Sequence, residues 1–136
     1  MNKKSAKEWL EKAWHNYSAA RILFDSNHYT DVVAVELHYA IEKTFKSFLA
    51  FQNKKISKTH DLDELYALIS EEIELDESGM KIINIATEYH IEESYPSMHR
   101  SLPDKDEIKE VLDFTGRIIV RACDKLKIDR REIRVL

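Results

Sequence analysis

Apolar residues return along this chain at intervals of three and four. Trp9, Ala13, Tyr17, Ala20 and Phe24 follow at spacings of four, four, three and four, which is one buried stripe of an α-helix. The spacing predicts a first helix from about Ser5 to Phe24, opened by a capping box in which Ser5 precedes Glu8 by three residues. Asp25–Ser26–Asn27 breaks the pattern. From about Tyr29 to Phe51 the chain is apolar on most sides, with Val32, Val33, Leu37, Ile41, Phe45, Phe48 and Leu49 among the positions and Glu36, His38, Glu42, Lys43 and Lys46 as polar exceptions. A helix apolar nearly all round is buried by more than one neighbour, and in a small domain the surplus predicts a contact with a second copy.

After a basic loop, His60–Asp61 offers a cap for a short helix bearing Leu62, Leu65, Tyr66, Ile69 and Ile73. A fourth helix takes Met80, Ile82, Ile83, Ile85, Ala86 and Tyr89 and fades near Glu93. Residues 94–103 hold both prolines and read as an irregular loop. A fifth helix starts near Asp104 and runs through Ile108, Val111, Leu112, Thr115, Ile118, Ile119, Ala122 and Leu126. The fold expected is an all-α antiparallel bundle of about five helices, four long and one short, over residues 5–126. Residues 127–136 read as a basic, flexible C-terminal tail.

Composition supports helices. The 136 residues contain two glycines and two prolines, about 3% against a usual ~12%, too few for the turns of a sheet protein. One domain of this size buries a real core without staples. The lone Cys123 excludes an internal disulfide and a cysteine metal cluster. The opening Met1–Lys12 is polar and charged, unlike a secretory leader, and no apolar run reaches the ~18 residues of a membrane span. The cytoplasm is the expected compartment, with no membrane partner.

Charge is unevenly spread. Residues 1–60 carry 10 Lys/Arg against 6 Asp/Glu, residues 61–93 carry one Lys against 11 acids, and residues 116–136 carry 7 basic against 3 acidic residues. A strong general nucleic-acid coat is not expected, but a local basic groove built from the two ends is compatible with this distribution; so are plain solvated helix faces.

Several chemistries are absent. Two glycines cannot form a phosphate-cradling loop, and no histidine has a glutamate three residues before it, as di-iron bundles require. His38 and Glu42 share a helix face at i, i+4, which suits a metal but reads more simply as a polar pair in a seam; no metal or cofactor is expected. His60 with Asp61 reads as a capping turn, and His90 as a helix-ending cation. His15 and His28 stand alone. The informative stretch is Tyr89–Leu102, where Tyr95, His99 and Arg100 gather in one loop. An imidazole exchanges protons with a hydroxyl and an arginine grips a phosphate with paired hydrogen bonds, the components of phosphodiester cleavage; an ordinary polar loop is the plainer alternative.

An ordered set of motifs resembles the HEPN family (higher eukaryote and prokaryote nucleotide-binding domains). Trp9 and the Ala-rich helix after it, ending in a polar break and Tyr29, resemble the family's first helix and turn. His38-Tyr39-Ala40-Ile41-Glu42-Lys43-Thr44-Phe45-Lys46 resembles its second-helix signature Gln-Gln-Ala-x-Glu-Lys-x-x-Lys. Thr59-His60-Asp61-Leu62 resembles its His-Asp-Leu helix start, and Tyr95-Pro96 its Arg-Tyr-Pro segment. The resemblance implies a homodimer and a minimal nucleotidyltransferase partner, as in toxin–antitoxin pairs. It also implies either a metal-independent ribonuclease carrying Arg-x(4–6)-His or a binding or assembly module that has lost that motif. The family arginine falls on Ser94, while His99 is kept four intervening residues later. The residues so implicated are His99, Arg100 and Ser94 for catalysis and Tyr95, His38 and Lys46 for nucleotide or RNA. Three readings remain open: a nucleotide- or RNA-binding dimer with a degenerate motif, an active ribonuclease toxin using His99 with Arg100, and a dimerisation scaffold.

Overall fold

The computed structural model describes residues 1–94 and 102–135. Six helices follow in order: α1 (Lys3–Asp25), α2 (Thr30–Phe51), α3 (Leu62–Ile69), α4 (Glu77–Ser94), α5 (Lys105–Leu126) and α6 (Arg130–Ile133). The described residues contain no strand. α1 and α2 form the most extensive pairing, a helical hairpin, and α2 also touches α3, α4 and α5. The central helix is thus enclosed by four neighbours. Fourteen of its residues are buried, including every position from Thr44 to Ala50. Most of its apolar surface is covered within one chain, while Val32, Val35 and Tyr39 stay partly exposed.

Three helices stop the same way without glycine. Asn27, Asn53 and Lys127 sit at φ values of 56°, 56° and 57°. Each begins a pair of backbone bonds back into the last turn, such as Asn27 N–H to Phe24 O and His28 N–H to Leu23 O. This is the Schellman ending, which needs a left-handed residue. Asparagine tolerates that region better than most side chains, which is how so few glycines suffice.

The predicted starts of α3 and α5 are met. Asp61 accepts from the N–H groups of Asp63 and Glu64, and Asp104 accepts from Glu107 N–H. The start of α1 differs. Its cap is Asn2, whose side chain accepts from Ser5 N–H, and Ser5 lies inside the helix. Asn2 wins because its own N–H is tied to Phe51 O at 2.8 Å, which anchors the chain ahead of the helix start expected from sequence. The C-terminal segment also differs from a flexible tail. It carries α6 and buries Ile128 and Ile133 against the core. Cys123 is fully buried, as packing requires, and burial pushes its thiol up to about 11.

Candidate functional site

The polar residues of α2 sort into two seams. Toward α1, Asn16 Nδ2 donates to Glu36 Oε1 at 2.9 Å and Lys43 Nζ donates to Asn16 Oδ1 at 2.7 Å. Toward α3 and α4 stands a network centred on Glu42. Lys46, one turn on, donates to Glu42 Oε2 at 2.9 Å. His38, one turn back, brings Nε2 to within 3.2 Å of Glu42 Oε1. His60, from the loop before α3, brings Nδ1 to 2.8 Å from the same oxygen. The side chains of His38, Glu42 and Lys46 are 0%, 6% and 8% exposed, whereas His60 is 50% exposed. Burial acts to raise the Glu42 carboxyl. The hydrogen bonds from His38, His60 and Lys46, with the lysine charge, outweigh it and hold the group at about 2.

Local structure explains how the loop histidine arrives there. Asp61 caps α3, and Leu62 N–H donates to Thr87 Oγ1 on α4 at 3.0 Å. That bond ties the first turn of α3 to α4 and sets His60 over α2. The ring of His90, on α4, stacks on His60 with centroids 4.3 Å apart and lies 5.2 Å from the His38 ring. His38 Nδ1 is 2.9 Å from Ala86 O. A carbonyl only accepts, so Nδ1 carries a proton and Nε2 is the nitrogen turned to the carboxylate.

Two histidines from separate parts of the sequence therefore meet one carboxylate, and His90 stacks against their rings. His60 is not the cap of α3; that role is Asp61's alone. His90 does not end its helix, which continues one turn further to Ser94. Of the residues singled out from sequence, His38 and Lys46 are brought together by Glu42. Both are buried, and the Lys46 ammonium, which also lies 5.7 Å from the Trp9 ring, is engaged by Glu42 rather than presented to a ligand. Ser94 is the last residue of α4. Tyr95, His99 and Arg100 lie outside the described residues. Glu42, His60 and His90 complete the constellation. Glu42 and His60 stand in the quoted motifs, but nothing local marks them as partners across eighteen positions.

A second feature lies along α1 and α5. Trp14, Tyr17, Arg21, Arg117, Arg121 and Arg134 line a groove of about 610 Å³ between α1, α5 and the C-terminal segment. Arg134 stacks over Trp14 with 4.4 Å to the ring centroid, and Arg21 lies 5.8 Å from that of Tyr17. Arg121 donates to Glu74 O at 2.6 Å. Among the described residues Arg21, Arg117 and Arg134 form no ion pair with a carboxylate. The two basic ends of the chain do share one groove.

The bundle is a small all-helical domain whose second helix carries the Glu42–Lys46 pair into the core. The family model described as HEPN domain matches residues 6–126, from the first turn of α1 to the end of α5. The chain belongs to the HEPN domain family. TT1696 from Thermus thermophilus has a similar solved structure, with TM-score 0.76 and 24% identity over 92% of this chain and 99% of that one. ST0689, an archaeal HEPN homologue, is similar with TM-score 0.69 and 14% identity over 89% of this chain and 97% of that one. At these identities the likeness concerns the fold. No curated protein sequence matches significantly.

Proposed function

We propose that this chain is a homodimeric HEPN partner of a minimal nucleotidyltransferase, binding nucleotide or RNA while cleaving it weakly or not at all. The observation that carries the reading is Ser94. It ends α4 where the family's catalytic pattern has arginine, and a serine hydroxyl supplies no cation to a pentacoordinate phosphorus. Binding is supported by the arginine groove, because guanidinium groups beside Trp14 and Tyr17 suit phosphates and stacked bases. With purified protein and short single-stranded RNA, we expect binding without cleavage, a dimer in sedimentation at micromolar concentration, and co-purification with a co-expressed minimal nucleotidyltransferase. RNA cleavage abolished by His99→Ala would overturn the degenerate-motif reading.

That result would favour the second reading, a ribonuclease toxin in which His99 moves the protons and the adjacent Arg100 replaces the missing arginine. The retained histidine, with four residues between it and Ser94, is what speaks for it. Its signature is growth arrest on expression, relieved by either His99→Ala or Arg100→Ala. A protein that dimerises but binds neither ATP nor RNA would instead be a scaffold.

A further inference from the structure

We propose that His38, Glu42 and His60 form a binding site for one divalent transition-metal ion of the zinc class. Their donor atoms, one from each residue, all lie within 4.8 Å of one another. Nε2 of His38 and Nδ1 of His60 stand 3.2 and 2.8 Å from Glu42 Oε1. Ligands held about 2.0–2.1 Å from zinc in a tetrahedron are about 3.3 Å apart, so two of the three separations are already near that edge. Two imidazoles and a carboxylate are also the donor set zinc takes in open sites.

The surroundings orient these donors as a metal site requires. Ala86 O holds the far nitrogen of His38, which fixes the tautomer and leaves Nε2 directed at the shared centre. With Nδ1 protonated, Nε2 bonds Glu42 Oε1 only through a second proton, and a metal ion would take that proton's place. Lys46 engages Glu42 through Oε2 and leaves Oε1 on the histidine side. The 50% exposed His60 gives an ion a path to a pair that is otherwise enclosed. An amide at position 38 would be a far poorer ligand than the imidazole present. The site is separate from the binding and cleavage readings above.

The test is a zinc titration of the purified full-length chain by calorimetry, with thermal unfolding in zinc and in chelator. The expected result is one ion per chain and a melting temperature raised by roughly 5–10 °C at about a hundredfold excess of zinc over Kd. His38→Gln and His60→Gln should each weaken binding by more than the roughly 10–100-fold that loss of an orienting partner costs. A His15→Gln/His28→Gln double variant should bind as the parent does. The proposal is overturned if the parent takes up no zinc, if His38→Gln or His60→Gln binds it as tightly as the parent, or if the His15/His28 variant loses it. Should His38→Gln fail to fold by circular dichroism, the half-exposed His60 variant decides the matter alone.

Discussion

The seam around Glu42 and the groove beside Trp14 use the same kinds of side chain to opposite ends. In the seam, one carboxylate is met by Lys46, His38 and His60, and three of the four groups are out of water. In the groove, four arginines surround two aromatic rings, and Arg117, Arg121 and Arg134 are open to solvent. A buried charge is expensive when its partner is lost, so the seam fixes how α2, α3 and α4 meet. An exposed arginine costs little to keep and little to remove. The comparison separates what holds the fold from what is available to a ligand.

The largest effect expected is at the centre of the seam. Glu42→Gln leaves the Lys46 ammonium in the core without a counter-charge and His38 without its carboxylate partner, and should destabilise the fold by about 3–5 kcal/mol. Urea unfolding with chelator present measures it; a loss under about 1 kcal/mol would mean the seam behaves like a surface pair. Acid adds a second signature. The folded Glu42 carboxyl titrates at about 2 against an ordinary 4.5. Its contribution is therefore complete above about pH 4.5 and is lost as the pH falls from there toward 2. The stability of Glu42→Gln should be flatter than the parent's across that window.

How much of this contrast is legible in the sequence depends on the range of the contacts. The stripe of α5, the caps Asp61 and Asp104, and the enclosure of α2 follow from spacing and local chemistry. So does the family, because Glu42-Lys43 and His60-Asp61 are contiguous motifs. The buried face of α1, by contrast, is centred on Ala6, Leu10, Ala13 and Ala20, with Trp9, Tyr17 and Phe24 at its partly exposed edge. The cap of α1 is obscured because Asn2 and Ser5 both offer an oxygen, and the choice is made by Phe51, 49 residues away. The seam itself depends on contacts between residues 18 and 48 positions apart. His60 next to a capping aspartate and His90 near a helix end each have a sufficient local explanation, and sequence spacing carries no sign that their rings stack. The docking of Ile128 and Ile133 is hidden by the charges around them.

At the floor of the groove the comparison can be sharpened sterically. A Cβ on Gly116 would stand 2.6 Å from the Tyr17 hydroxyl and 3.1 Å from its ring carbon Cζ. Gly116→Ala should destabilise by about 1–3 kcal/mol through overpacking, despite the better helix propensity of alanine. Tyr17→Phe removes the atom that clashes most. The double variant should recover most of the loss, measured as a coupling in a double-mutant cycle. Strict additivity would show that α1 and α5 separate rather than touch at this point.

The next step down is Arg134, whose guanidinium covers Trp14 at 4.4 Å. Arg134→Ala should cost about 0.5–1 kcal/mol, the scale of an exposed cation–π contact, and should shift the tryptophan emission as the ring is uncovered. An unchanged spectrum would place Arg134 away from the ring in solution.

Arg117 is the sharpest discriminator because its expected effect on folding is the smallest. It is exposed and makes no ion pair with a described carboxylate, so Arg117→Ala should leave stability within about 0.5 kcal/mol. If the groove receives RNA, the same substitution should still weaken binding of a short single strand and lower the slope of log affinity against log salt by about 0.7 for each phosphate the protein no longer neutralises. A titration at several salt concentrations separates the outcomes. Reduced affinity with a shallower slope places a phosphate on Arg117. Unchanged affinity and slope would leave the groove's arginines without a phosphate to bind, and would move the search for the nucleotide or RNA surface to the α4–α5 connection beyond Ser94.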